Sequence, residues 1–223
     1  MKILIANSKK WFSLFDAFKI NNQILFIEDK EKLNYENINK FKPDLIFFIH
    51  WNWVVPREIH ERFLCIVFHL APLPYGRGGS PIQNLILRKF KNAPICALRM
   101  TDELDAGPVY LKKNISLDGK LSEIFSRMNL ILNEMIDILI TELPTPKKQI
   151  GEKYIFKRLG HEDNKLPHNL TLEGLFDRIR MLDDENYPSA FIECGNLRIE
   201  FSDASLDKNQ LICKAKINLK KIE

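Results

Sequence analysis

The spacing of hydrophobic positions alternates along this chain between short continuous runs and helical periods. Lys2–Ala6, Gln23–Glu28, Pro43–Ile49, Cys65–Leu70 and Ile95–Met100 are apolar runs of strand length. Their near-continuous apolarity predicts strands covered on both faces. Phe12, Phe15 and Phe18 recur at helical spacing and predict a core-facing helix. Lys30–Lys40 is charged and asparagine-rich, which predicts a surface helix and loop. Pro56 opens a further helix to about Phe63, because proline is tolerated in a first turn. Ile82–Phe90 reads as a helix and Leu111–Ile115 as a strand. Leu121–Leu143 is the longest helical pattern, striped by Ile124, Met128, Ile131, Met135, Ile138 and Leu139. The alternation predicts an α/β fold: a Rossmann-like, mostly parallel sheet with helices on both faces.

Pro144-Thr145-Pro146 stops the long helix, and the pattern changes there. A polar, irregular stretch over Ile150–Pro167 leads to a helix over Leu172–Leu182, which Thr171 and Glu173 can cap. Ala190–Glu193, Leu197–Phe201 and Leu211–Ile217 read as short strands. Gly195-Asn196 is a hairpin signal between the first two. The expected division is a catalytic α/β domain over residues 1–146 and a small C-terminal subdomain over 147–223, a helix with an antiparallel β appendage.

Composition narrows the classes. The 223 residues carry a formal net charge of only +4, with scattered Lys and Arg, so no nucleic-acid partner is expected. No apolar window reaches membrane-span length and no signal peptide opens the chain, so a cytoplasmic protein without a membrane partner is expected. Cys65, Cys96, Cys194 and Cys213 form no CxxC pair and no zinc spacing with histidine. Buried free thiols in a reducing compartment, and no metal, are the expectation. The loop after the first strand is not a GxGxxG turn, which excludes a dinucleotide fingerprint.

The chemistry gathers between Cys65 and Tyr110. His69 closes an apolar strand, and the loop that follows carries Gly76, Gly78 and Gly79. Asp105 follows the next strand into an Ala-Gly turn. Alone, His69 reads as a packed core histidine and Asp105 as a turn residue. Together, at strand ends where α/β sheets bind ligands, they can form a carboxylate–imidazole pair for proton transfer.

The ordered set His69, Leu73-Pro74, Arg77-Gly78, Pro81-Ile82 and Leu104-Asp105-Ala106-Gly107 resembles the folate-dependent formyltransferases. That resemblance implies transfer of a formyl group from 10-formyltetrahydrofolate to an amine, with a tetrahedral oxyanion to stabilise. It implies His69 as general acid/base or oxyanion donor and Asp105 as its support and proton shuttle. It also implies folate contacts at Gly76, Arg77, Gly78, Gln83, Asp102 and Leu104. One departure stands out. The family places an asparagine two residues before the histidine, and here that residue is Val67. Losing one oxyanion donor costs roughly a hundredfold to a thousandfold in rate. Asn52, at the end of the neighbouring strand, is the candidate replacement; it reads equally well as a turn residue.

The loop wording and the tail (Ile179-Arg180-Met181-Leu182, Tyr187-Pro188) resemble sugar N-formyltransferases. The nearest branch acts on a UDP-linked 4-amino-4,6-dideoxy sugar of the pseudaminic-acid route. The acceptor implied is therefore a nucleotide-linked amino sugar, with Trp51, Lys9, Arg180 and Tyr187 as candidate contacts and a homodimer as a candidate assembly. Two alternatives stay open: a binder of folate or nucleotide sugar without turnover, which Val67 motivates, and a glycinamide ribonucleotide transformylase-like enzyme.

Overall fold

The computed structural model describes residues 1–220; the last residues of the expected C-terminal subdomain, 221–223, lie outside them. Its main sheet has six strands in the order β2-β1-β3-β4-β6-β7. These are β1 (Lys2–Asn7), β2 (Gln23–Ile27), β3 (Leu45–Ile49), β4 (Cys65–Leu70), β6 (Asn92–Arg99) and β7 (Val109–Ser116). The β2-β1-β3-β4 pairs are parallel. Every residue of β3 is buried, as expected of a central strand covered on both faces.

Strand order explains the helix layers. The chain steps from β1 to β2 in one direction, then from β2 across to β3 and β4 in the other. With right-handed crossovers, such a reversal moves the connecting helices to the opposite face. On one face, Leu4, Ala6, Ile46, Phe48 and Cys65 pack with Leu33, with Ile38 of α2 (Tyr35–Phe41) and with Ile59 of α3 (Arg57–Arg62). Beyond β1 the expected helix through Phe12, Phe15 and Phe18 is absent, and α1 is confined to Ala17–Asn21. The backbone is instead captured by the long helix α5 (Leu121–Thr141). Asn129 Oδ1 accepts from Ser13 N and Asn133 Oδ1 from Phe15 N, each at 2.8 Å. Phe12 and Leu14 alternate into the core and Phe15 faces solvent, so the triad's spacing was coincidental.

A second departure positions the site. The strand β6 runs antiparallel to β4, with Leu70 opposite Ile95 and Ile66 opposite Arg99. The chain leaves β4 at its carboxyl end and re-enters the sheet from that same end, so no crossover is needed.

Two compact units partition the chain. The first comprises Met1–Gly78, Ala93–Ile115 and Phe125–Ile155; the second holds Gly79–Asn92, Ser116–Ile124 and the residues from Phe156 on. The chain crosses between the units several times. Residues 147–155 belong to the first unit because they are hydrogen-bonded into it. Lys147 exchanges backbone bonds with Val109 (2.7 and 2.9 Å), and Tyr75 of β5 (Tyr75–Gly78) stacks on Tyr154 of β8 (Tyr154–Phe156) at 5.0 Å. The second unit contains α4 (Pro81–Leu87), α6 (Leu172–Arg180) and an antiparallel sheet β11-β10-β9. Those strands are β9 (Ala190–Cys194), β10 (Leu197–Leu206) and β11 (Leu211–Leu219). Cys194 pairs with Leu197 across the predicted Gly195-Asn196 turn, where Gly195 has φ +57°. Among the described residues no helix is long and apolar enough to cross a membrane, and no cluster of His, Cys, Asp and Glu could hold a metal.

Candidate active site

His69 stands one residue before the end of β4, opposite Cys96 in the register. Because β6 is antiparallel, Asp105 follows Arg99 at the far end, opposite Ile66. Three residues of strand, about 10 Å, separate those two rows. The expected meeting of two carboxyl ends therefore does not occur. The loop 100–108 folds back over this distance instead. Asp105 Oδ2 comes to 3.5 Å from His69 Nδ1, with both side chains more than nine-tenths buried.

Local geometry makes this excursion workable. Asp105 adopts φ +51°, a left-handed conformation that aspartate tolerates better than most residues. The loop closes where Arg99 N donates to Pro108 O at 2.9 Å. Gly107 passes so close there that a Cβ would lie 1.7 Å from the Arg99 carbonyl oxygen. Only glycine fits.

The glycine-rich loop provides the opposite wall. Gly76 and Gly78 hold φ of +90° and +102°. Gly78 N donates to Asp105 Oδ2 at 2.9 Å. His69 Nε2 lies 2.7 Å from the Gly76 carbonyl oxygen, which can only accept, so Nε2 carries the proton. Both ring nitrogens thus face oxygen atoms, Nε2 at hydrogen-bond distance and Nδ1 at ion-pair distance. The backbone of Gly76 and Gly78 thus holds the His–Asp pair.

Arg77 is committed to its own chain. Its Nη1 donates to Glu103 Oε1 (2.9 Å), and its Nε and Nη2 donate to Gln149 Oε1 (3.1 and 2.8 Å). Lys153 also holds Glu103, and its ammonium, with Arg77 behind it, keeps that carboxyl below the usual carboxylate range. Asp102 lies near Arg57 (3.5 Å) and His60 (3.6 Å) of α3 and remains mostly exposed. Leu104, the loop's apolar tip beside Asp105, is 67% exposed.

The remaining candidates are distributed more widely. Asn52 and Trp51 lie half-buried in the loop after β3, whose Phe48 pairs with Val67. That loop therefore leaves the sheet beside the β4 end. Trp51 packs edge-on to Phe48 and Trp53 and joins the core cluster, so it is not a free stacking platform. Lys9 follows β1, where Ser8 Oγ donates to the His50 carbonyl and Trp11 Nε1 to His50 Nδ1 (2.9 Å). These bonds fasten the loops after β1 and β3 together.

Gln83, Arg180 and Tyr187 belong to the second unit, where each has surroundings of its own. Gln83 is buried and donates to the Met181 carbonyl at 3.2 Å. Arg180 pairs with Asp177 (2.7 Å) and donates to the carbonyls of Leu117 and Gly119 (2.6 and 2.8 Å). Its Nε and Nη1 are thereby engaged within its own unit. Burial raises the Tyr187 phenol above its ordinary range, and Asp184 adds to this. Sequence reasoning missed Gln149 and Glu103, polar residues in loops with no motif to mark them.

Comparison with known proteins adds an independent line. Residues 161–218 match the family described as methionyl-tRNA formyltransferase, C-terminal domain. A structure of a methionyl-tRNA formyltransferase from Clostridium thermocellum is 39% identical, with TM-score 0.92 over 99% of this chain and 100% of that one. A methionyl-tRNA formyltransferase of Bacillus thuringiensis is 31% identical over 165 residues, covering 69% of this chain and 52% of its own length. The chain spans 52% to 60% of the length of the curated relatives it matches first. The formyltransferase PseJ from Anoxybacillus kamchatkensis, solved with UDP-4,6-dideoxy-4-formamido-L-AltNAc and tetrahydrofolate, shares the fold. Its TM-score is 0.57 at 15% identity, over 70% of this chain and 85% of that one.

Proposed function

The chain belongs to the methionyl-tRNA formyltransferase-like family of formyltransferases, and we propose that it moves a formyl group from 10-formyltetrahydrofolate to a primary amine. The observation that carries this reading is the buried His69–Asp105 pair, 3.5 Å apart and oriented by the Gly76 and Gly78 backbone.

The reaction needs four events. The amine nitrogen bonds to the formyl carbon, charge develops on the formyl oxygen, the bond from that carbon to folate N10 breaks, and a proton passes from the amine to N10. His69 exchanges the Gly76 carbonyl for the formyl oxygen and donates its Nε2 proton to a hydrogen bond there. Asp105 holds the ring in register, receives the proton released by the attacking nitrogen and returns it to N10 as the bond from carbon to N10 breaks. Val67 supplies no donor, so the loop bearing Asn52 is where a second oxyanion donor would come from. Exposed Leu104 offers the apolar cover for the pterin.

For the acceptor we propose the amino group of a nucleotide-linked amino-dideoxy sugar, UDP-linked. The loop wording from His69 to Ile86 supports this. So does the charge pattern of the β appendage, where carboxylates sit among the lysines. Asp203 pairs with Lys120 and Lys214, and Glu193 with Lys165 and Lys220. A surface built to track a phosphate backbone would not intersperse such anions. A second reading, the methionyl amine of a charged tRNA, is favoured by the names of the relatives and by the match over residues 161–218.

One experiment separates them. The protein is incubated with 10-formyltetrahydrofolate and, in separate arms, UDP- and dTDP-linked 4-amino sugars or methionyl-tRNA, and products are weighed by mass spectrometry. A gain of one CO on a sugar supports the first reading, and on the aminoacyl-tRNA the second. Folate binding without formylation in any arm overturns both and leaves a binder.

A further inference from the structure

We infer that Gln149 is a positioning residue for the Asp105 carboxylate, bracing the two loops between which that carboxylate is held. The inference rests on the reading of Asp105 and His69 as the reacting pair, and goes beyond it by assigning a role to a residue outside the motif.

The observation is one saturated amide. Gln149 Oε1 accepts from Arg77 Nε (3.1 Å) and Nη2 (2.8 Å). Its Nε2 donates to the carbonyls of Asp105 (2.8 Å) and Gly107 (2.9 Å). All four hydrogen-bonding positions of the side chain are therefore filled by its own chain. A half-buried glutamine on a loop ordinarily leaves some of them to water.

The partners give the amide its meaning. Two of its bonds clamp carbonyls two residues apart in the loop 100–108, that of Asp105 itself, at φ +51°, and that of Gly107. The other two hold the guanidinium of Arg77, whose chain neighbour Gly78 donates to Asp105 Oδ2. Gln149 thus fixes both the backbone that carries the carboxylate and the backbone that receives it. It touches neither His69 nor the carboxylate. An excursion of about 10 Å from its parent strand, ending in a left-handed residue, would otherwise be closed mainly by bonds at its base. Residue 149 reaches this position because segment 147–155 is tied into the first unit at Val109 and Pro74.

The test uses Gln149→Glu and Gln149→Ala in the full chain. The glutamate variant keeps size and the Arg77 partner but loses both donors and sets an anion against two carbonyls. The alanine variant removes the brace without adding charge. Both are expected to lower kcat roughly tenfold to a hundredfold, with KM for folate and acceptor changed less than about twofold, because a displacement near 1 Å costs about that much. In an Asp105→Asn background the alanine substitution is expected to have little further effect, since both act through one carboxylate. The His69 ring nitrogens, followed by NMR and identified by their loss in His69→Asn, are expected to shift in both Gln149 variants, although residue 149 does not touch the ring. Additive losses in the double variant, or unmoved ring resonances, would overturn the inference. If Asp105→Asn alone leaves turnover intact, the underlying catalytic reading fails, and the NMR arm still reports whether Gln149 positions the loop.

Discussion

Replacing Gly107 by alanine isolates the feature on which the site's geometry turns. The added Cβ would stand 1.7 Å from the Arg99 carbonyl oxygen, and real Cβ atoms essentially never approach closer than 3.0 Å. The obstacle is strand backbone, so it cannot rotate away as a side chain would. The loop must lift by about 1.3 Å at its base, the difference between those two distances. Two hydrogen bonds stand on that base: Arg99 N to Pro108 O and Gln149 Nε2 to Gly107 O, each 2.9 Å. Losing them costs about 1–3 kcal/mol. For a chain of this size, each kcal/mol lowers Tm by about 2–4 °C. The catalytic effect should be larger than the stability effect. Asp105 is two residues away, and a misplacement near 1 Å costs about a hundredfold in rate. The assay is formyl transfer under saturating donor, paired with thermal unfolding. Gly195→Ala is the control: its φ of +57° strains alanine, but nothing lies within 4 Å of the added carbon. That variant should lose about 1 kcal/mol of stability and no turnover. If Gly107→Ala matches the control in both measurements, the close approach at Arg99 does not govern the site.

His69→Asn should abolish transfer while far-UV circular dichroism and Tm stay near the parent's; normal turnover would remove His69 from the mechanism. Arg180→Ala should cost about 2–4 kcal/mol in urea unfolding, because a buried fork and its carbonyl caps are lost, while Asp177 keeps Lys89 at 2.7 Å. KM for a UDP-amino sugar should not move; a tenfold rise at unchanged stability would restore Arg180 as a diphosphate ligand. Alkaline pH tests the core thiols. Burial raises Cys65 to about 12 and Cys96 to about 11 from 9.0, so the unfolded chain releases these protons first. The stability they contribute is intact below pH 9 and falls as pH rises from there toward 11, by about 1.4 kcal/mol per pH unit for each thiol. A Cys65→Ala, Cys96→Ala variant should show a shallower decline in urea midpoint over that window. An equal decline would place the sensitivity elsewhere.

Hydrophobic period alone was sufficient for most of the elements. The runs at β1, β3 and β4 are apolar enough to declare burial on both faces. The Gly195-Asn196 turn declared its hairpin, and the order of residues from His69 to Gly107 declared the resemblance to formyltransferases. Each of these is written locally, in side-chain volume, polarity and backbone freedom. Period records that a strand is buried, but not the direction in which it runs or its partner. The sequence therefore left open that β6 is antiparallel, so the Asp105 loop has to travel back along the sheet to reach His69. It was equally silent on Gln149, a polar side chain in a polar stretch, whose four hydrogen bonds go to three residues distant in sequence. The roles it suggested for Arg180 and Gln83 rested on residue type alone. An arginine or glutamine looks available for a ligand until folding supplies a buried carboxylate or a row of carbonyls, and those bonds exist only once the tertiary structure has brought the partners together.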